Sequence, residues 1–581
     1  MTHFTVVLFV FCVCSATQAA VVGWNNDGSG DYGRDCKPPL NFDGEKGTNV
    51  RWKAPLPNWS NSSPIVIEPA DAKGPVRVVC VAEPLDYSPI LLCFDADTGK
   101  ELWRRELDAV AAMPKEQQDE ARALAKKCWA RQRAFKKLCV DAGEVYESHK
   151  AEWASRPDFA RNANGLTPEE EKQLPSEVQP FVKRAEAIGC SFTGLTSSWA
   201  GRWWLFSFRK NTGYDRESQR LGQLGLMWSQ WDTSGAWDGI AYPTPLSDGK
   251  HILTVTAQNL YSCHDLDGKV VWQTRFAPPK EGDFRPEQLN RLKDSQGKIR
   301  WEGGLRGFET SPVFAEELLI SNAAGAIRAV DIKTGQSRWV VPVSGQLRQG
   351  MAVPAVATVG SERYVVGVSP ANSGGNPILR LRDGLEVGSL PGSVMPNSMN
   401  GPIVVGDTIV SIHDKAVVCH RLAREGDGLT LQERWRSPDK SMVDWKLMRV
   451  PWRDGMAYLD NGVFNLREGK RTLSWNSLIN QGYYGQGGIL AGGYYLGWDF
   501  YHGKFFWRDL DTGKKVGEGV LPVNPSDGLP LTLRREQAVR FNGWMWLGAA
   551  TPFAWKDRLY IRAYDCLWCL SSAPKSGKDA P

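Results

Sequence analysis

Asp95-Ala96-Asp97-Thr98-Gly99-Lys100-Glu101-Leu102-Trp103 returns later in the chain as Asp331-Ile332-Lys333-Thr334-Gly335-Gln336-Ser337-Arg338-Trp339. Between them lies Asp265-Leu266-Asp267-Gly268-Lys269-Val270-Val271-Trp272, one residue shorter before its Gly, and Asp509-Leu510-Asp511-Thr512-Gly513 comes late. In the first three stretches Trp stands four residues after Gly. Asp and Gly at fixed offsets between apolar runs describe a tight hairpin turn, with Gly supplying a positive φ. The Trp then falls on the following strand, where its ring can pack between neighbouring sheets.

A second anchor precedes each turn. Pro245 and Pro312 each stand 23 residues before their Gly, at Gly268 and Gly335. Each interval reads as a small residue, Pro, a short strand, a turn, a strand and the Asp-Gly hairpin, with Pro tolerated where a strand begins. Pro64, Pro354, Pro402, Pro451 and Pro552 repeat the anchor, and Leu490 holds its place before Gly513. The count is eight units. They are uneven: Gly388 and Gly517 stand where Trp is expected, and the unit at Pro402 has a longer turn before Trp435.

The last unit ends at Cys569-Leu570 without a Trp strand, while Asn49-Val50-Arg51-Trp52-Lys53 is a Trp strand without a unit. Joining the two, with a closing strand at about 48–54, closes a ring and leaves only short sheet edges. The predicted fold is all-β, an eight-bladed β-propeller over residues 20–581.

These residues resemble the pyrroloquinoline-quinone-like (PQQ-like) repeat family of β-propellers, whose repeat carries an Ala/Ser-Pro strand start and an Asp-x-x-Thr-Gly-x-x-x-Trp hairpin. The resemblance covers most of 48–571. It implies either a cofactor-free scaffold, as in the outer-membrane assembly lipoprotein propeller, or a quinoprotein dehydrogenase. The latter implies adjacent cysteines and a calcium site near the central channel. No two cysteines are adjacent in this chain, and no calcium-ligand motif maps onto it residue by residue.

Between Trp103 and Pro245 the chain departs from the repeat. Leu124, Cys128, Phe135, Leu138, Val145 and Trp153 form one helical stripe. Thr167-Pro168-Glu169-Glu170-Glu171 starts a second helix. A helical insertion over about 108–190, between the first and second blades and peripheral to the propeller core, is predicted. Lys126, Lys127, Arg131, Arg133, Lys136 and Lys137 read as a solvated helix face, the alternative being a surface for an acidic partner.

The 581 residues carry 70 Lys and Arg against 65 Asp and Glu, a net charge of +5. That balance lacks the basic bias of a nucleic-acid protein. Val6 to Val13 is an apolar run, and Thr17 and Ala19 are small residues at the −3 and −1 positions of a cut after Ala19. Residues 1–19 therefore read as a signal peptide, and the protein as exported, periplasmic or extracellular, with no transmembrane segment.

Catalytic signatures are lacking. Neither a nucleophile elbow, a phosphate loop, a zinc-protease helix motif nor a calcium loop appears. Asp95, Asp97, Asp265 and Asp267 recur with the hairpin and read as turn residues. Cys263-His264 and Cys419-His420 align with Cys93-Phe94, making the Cys column small core residues and the His column outward strand residues. Cys566-Leu567-Trp568-Cys569 lacks the His that haem attachment needs and reads as two small strand residues, with a disulfide left open. His413-Asp414 has no identifiable third partner, His502 has no better claim, and Gly482–Gly488 reads as a connection between blades. No catalytic or metal residue is assigned, and cofactor-binding residues stay unknown. The function expected is noncatalytic binding or scaffolding of another protein or an envelope component, without a cofactor. The alternative is a PQQ-dependent dehydrogenase oxidising alcohols or sugars, with PQQ and calcium.

Overall fold

The computed structural model describes residues 21–573 except 24–25, 58–59, 61, 83–87, 150–166, 168, 170–171, 175, 199–200, 209–212, 227–242, 291, 294–295, 300, 302–309, 344–352, 368–375, 392–401, 414–415, 427, 439–449, 477, 479–487, 500–502, 523–549 and 564–565. The signal peptide expected at 1–19 lies outside these residues.

Each repeat unit folds as one four-stranded antiparallel sheet, and there are eight. Blade 1 comprises Ile65–Ile67, Arg77–Ala82, Ile90–Asp95 and Glu101–Glu106. Blades 2 to 7 repeat that order, beginning at Leu246, Val313, Ala355, Ile403, Trp452 and Gly488. Blade 8 takes Phe553–Trp555, Arg558–Ala563 and Cys566–Ser571 from the end of the chain and Val50–Pro55 from its start. Across that junction Trp52 faces Cys569 and Pro55 faces Cys566.

The recurrent Asp makes the hairpin. Asp95 Oδ1 accepts hydrogen bonds from the Asp97 and Thr98 amides at 3.0 and 2.8 Å and from the Thr98 hydroxyl at 2.9 Å. Asp331 repeats this with Lys333 and Thr334. Gly99 and Gly335 follow at φ of 71° and 70°, a left-handed conformation that glycine adopts without strain.

Where a blade carries its Trp, the ring docks on the turn of the next. Indole N–H groups donate from Trp103 to Leu266 O at 3.0 Å, from Trp272 to Ile332 O at 2.7 Å, from Trp339 to Leu381 O at 2.8 Å and from Trp435 to Leu466 O at 3.1 Å. Each ring lies against the turn glycine it faces, so a Cβ at Gly268, Gly335 or Gly384 would meet it. The second and third strands are buried almost throughout, because neighbouring blades cover both faces.

Both blades without a Trp have a substitute. Leu429, on the long hairpin of blade 5 (Ala416–Glu425 and Gly428–Ser437), approaches Gly388 of blade 4, the Leu429 carbonyl 3.5 Å from where a Cβ would stand. On blade 7, Phe42–Asp43 adds a parallel fifth strand, pairing with Gly519 and Val520. Leu40 and Phe42 come so close that a side chain at Gly517 or Gly519 would collide with them.

Between blades 1 and 2 in chain order lie α1 (Lys115–Ser148), α2 (Gln179–Ala187), the hairpin Cys190–Ser198 with Gly201–Phe208, and α3 (Gly213–Gln223). Helix α1 contacts α2, α3 and the second hairpin strand. This segment is not peripheral to the core as its polar composition suggested. Ala121, Ala125 and Cys128 of α1, with Leu221 of α3, share one buried cluster with blade 1. Leu138 is buried as the helical stripe requires, and Trp153 lies outside the described residues.

Candidate functional site

The segment that enters the channel has no repeat signal. Residues 26–33 read Asn-Asp-Gly-Ser-Gly-Asp-Tyr-Gly, a composition that favours local turns over strand or helix. Asp27 Oδ1 accepts from the Ser29 amide at 2.9 Å, Ser29 Oγ accepts from the Asp31 amide at 3.0 Å, and the Asn26 amide donates to Asp31 O at 2.7 Å. The result is a self-bonded strap.

The strap docks on first-strand edges, which face the channel. Val22 exchanges two backbone hydrogen bonds with Ser247 of blade 2, at 2.9 and 2.8 Å. Leu490 of blade 7 donates to Gly30 O and accepts from the Tyr32 amide, both at 2.8 Å. On blade 6, the Trp452 amide donates to Ser29 O at 2.9 Å. The Arg453 side chain, 5% exposed, grips both carboxylate oxygens of Asp31 and donates to Gly492 O at 2.6 Å. Burial alone would lower the Arg453 pKa, but its bonds to Asp31 raise it above the ordinary value. The strap thus ties blades 2, 6 and 7 together across the channel mouth.

Beside the strap, whose Tyr32 hydroxyl donates to Pro552 O of blade 8 at 3.2 Å, lies a cavity of about 580 Å³ lined also by blades 8 and 1. Val22, Val66 and Phe553 supply apolar lining, and the Tyr32 ring meets Phe553 edge-on at 4.6 Å. Asp35, Glu68 and Lys556 bring charge to it. Lys556 Nζ lies 3.3 Å from Glu68 Oε1 and 4.2 Å from the Trp555 ring centre, while the Trp555 indole donates to the same carboxylate. Asp35 is exposed and makes no ion pair among the described residues. The Cys36 thiol donates to Tyr32 O at 2.8 Å, and burial pushes its pKa up.

The residues singled out from sequence lie elsewhere. Cys93, Cys263 and Cys419 are buried core residues. His264 and His420 are not outward: they are 1% and 4% exposed, because a blade has neighbours on both faces. Burial, and secondarily the Arg105 guanidinium, lowers the His264 pKa to about 4. Cys566 and Cys569 form no disulfide. Three residues apart on one strand they face opposite sides, one in the cluster with blade 7 and the other in the cluster with blade 1. Asp95 and Asp265 bind their own turns, Asp97 and Asp267 pair with Arg558 and Arg77 of adjacent blades, and among the described residues no three His, Cys, Asp or Glu side chains converge as a metal site would. His502, Asp414 and Gly482–Gly487 lie outside the described residues, as does the His413 side chain. On α1, Lys127 and Arg131 face Glu217 of α3 at 3.8 and 3.0 Å, and Lys137 pairs with Asp141, so much of that basic face is internally balanced. The Arg133 and Lys136 side chains lie outside the described residues, and Lys126 is exposed. Sequence reasoning missed Asp31, Arg453 and the cavity. The only available signal was the Gly- and Asp-rich run ahead of the Trp52 strand.

Residues 283–476, one third of the chain, match the family model described as outer membrane protein assembly factor BamB. With its eight sheets, the chain is an eight-bladed β-propeller. Over that third of the chain the similarity is to a PQQ-like repeat family. Among solved structures, BamB from Moraxella catarrhalis aligns at 12% identity over 56% of this chain and 80% of its own, with a TM-score of 0.32. Dihydro-heme d1 dehydrogenase NirN in complex with DHE aligns at 13% over 47% and 53%, TM-score 0.29. AztD from Citrobacter koseri aligns at 13% over 47% and 84%, TM-score 0.25. No curated protein sequence matches the chain. Among the described residues no helix is long and apolar enough to cross a membrane.

Proposed function

We propose that this protein is an exported, noncatalytic scaffold that binds another protein or an envelope component. The observation that carries the reading is the structural use of the repeat's polar groups. The turn carboxylates accept hydrogen bonds from their own turns, and the indoles donate across blade junctions. The match over 283–476 to an assembly-factor family supports a protein partner, and the leader-like first nineteen residues support export. The segment at about 108–190 is assigned as a helical insertion after the first blade that widens the binding platform.

The described cavity does not suit PQQ. That cofactor carries carboxylates, whereas the cavity presents Asp35 and Glu68, and the Lys556 ammonium is already engaged by Glu68. At the turns, Asp95 Oδ1 is already taken up by three donors of its own hairpin. A photocrosslinking amino acid in place of exposed Lys126, in cells making the full chain, should trap one discrete protein identified by mass spectrometry. Absence of any specific adduct there and at Lys37, on the strap side, would count against a protein-binding role.

A further inference from the structure

We infer that residues 26–55 form a detachable arm, which leaves and reseats as one unit while blades 1 to 8 stay joined in a ring. Release uncovers the outer side of Cys566–Ser571 on blade 8.

The arm is seated by the far end of the chain. It comprises the strap, the added strand Phe42–Asp43 and the outer strand Val50–Pro55. Among the described residues, every backbone bond it makes to another part of the chain goes to residues 452–571. The amides of Trp452, Leu490, Gly492 and Ser571 donate to the carbonyls of Ser29, Gly30, Gly33 and Asn49 at 2.8 to 2.9 Å. In the other direction, the Tyr32, Lys37 and Gly44 amides donate to Leu490, Lys556 and Val520. Ahead of the arm, Val22 pairs with an earlier blade at Ser247. The arm's own bonds link its parts: Asp43 and Thr48 exchange backbone hydrogen bonds, and the Asn49 amide side chain donates to Asn41 O at 2.6 Å.

The ring has a second closure that does not use the arm. The Thr551 amide of blade 8 donates to Ser63 Oγ of blade 1 at 2.8 Å. Arg558 and Tyr560 donate to Ala96 O, Arg558 pairs with Asp97, and Arg562 donates to Val81 O. Phe553, Tyr560, Leu567 and Cys569 share the buried cluster of blade 1. On the arm, Trp52 and Arg51 add bonds to Ala96 O and Asp97 O. Removing them leaves the direct seam in place and blade 8 with three strands.

Burial separates the two closures further. The fully buried apolar side chains of the arm are Phe42, Trp52 and Ala54, with Pro38 and Pro39. The single strand Arg77–Ala82 of blade 1 is buried at all six positions. Segments with few buried apolar contacts open at a lower free energy than the core they cover. An uncovered strand then presents unpaired main-chain groups to solvent or to another chain.

The test is hydrogen exchange of the full chain in a urea series, resolved by fragmentation to single amides. The amides of Trp452, Leu490, Gly492 and Ser571 report on the arm, because they belong to the ring but donate to arm carbonyls. They should lose protection together with the arm, at urea concentrations where Leu318–Ala323 and Ala326–Asp331 of blade 3 keep theirs. Asp31→Asn should speed exchange of the reporter amides about a hundredfold or more and leave blade 3 unchanged. A protease site placed in the connection 56–64 and cut after folding gives a second readout. The cut arm should leave in the same urea range with far-UV circular dichroism retained, and rejoin on dilution. Loss of protection at one urea concentration in arm and blade 3, an equal effect of Asp31→Asn on both, or departure of the cut arm only as the dichroism collapses would each overturn the inference.

Discussion

The indole N–H of Trp52 donates to the carbonyl of Ala96 at 3.0 Å, so a residue near the start of the chain holds the last blade against the first. The ring lies against Gly99, as Trp103, Trp272 and Trp339 lie against the turns of the blades that follow them. Arg558 and Tyr560 donate to the same carbonyl at 3.0 and 3.1 Å. Trp52→Ala leaves that acceptor satisfied and removes chiefly packing, so it should lower the stability of the first unfolding transition by about 3–5 kcal/mol. Trp52→Phe, which keeps most of the bulk and loses one hydrogen bond, should cost about 1 kcal/mol. Urea unfolding followed by tryptophan fluorescence measures both. Equal losses would assign the junction to the hydrogen bond rather than the ring.

Glycines at similar φ separate backbone strain from collision. Gly335 has φ 70° and a Cβ there would fall 2.5 Å from Trp272 Cε3, whereas Gly360 has φ 63° with open space around it. Gly335→Ala should therefore be less stable than Gly360→Ala by about 1–3 kcal/mol. Similar melting curves for the two variants would show that Trp272 does not bear on the turn.

These elements divide what sequence makes legible from what it does not. The hairpin is local, so Asp331, Gly335 and Trp339 announce it within nine residues. The blade count follows from the same pattern, even where Gly388 and Gly517 replace Trp. The substitutes for those rings were not legible, because Leu429 and Phe42 come from other units or from outside the repeat. Asp31 meets Arg453 across 422 residues, and neither belongs to a recurring motif. The His column was misread because period-two alternation implies a solvent face, and a blade enclosed by two neighbours has none in its middle strands.

His264 should make the protein acid-sensitive. Its folded pKa of about 4 lies below the ordinary 6.5, so the unfolded state binds the proton more readily. The stability tied to the neutral form is complete above about pH 6.5 and is lost as pH falls toward 4, by about 3 kcal/mol in all. His264→Phe, the residue found at the matching position 94, should flatten that part of the profile. Denaturation midpoints taken from pH 7.5 to 4 test this. An unchanged slope in the variant would remove His264 as the cause.

The strap's ion pair predicts an asymmetric mutational response. Asp31→Asn leaves the buried Arg453 charge uncompensated and should cost about 3–5 kcal/mol. Asp31→Asn combined with Arg453→Met removes the stranded charge and should recover part of the loss. Calorimetric melting of the single and double variants checks it, and a fully additive result would show that the pair is not coupled.

The most direct test of the scaffold account is calorimetric titration of the purified full-length protein with PQQ in the presence of calcium, paired with a dye-reduction assay on simple alcohols and aldose sugars. The account predicts no stoichiometric heat of binding and no substrate-dependent dye reduction. Tight one-to-one binding with alcohol- or sugar-dependent reduction of the dye would contradict it and make the channel an active site.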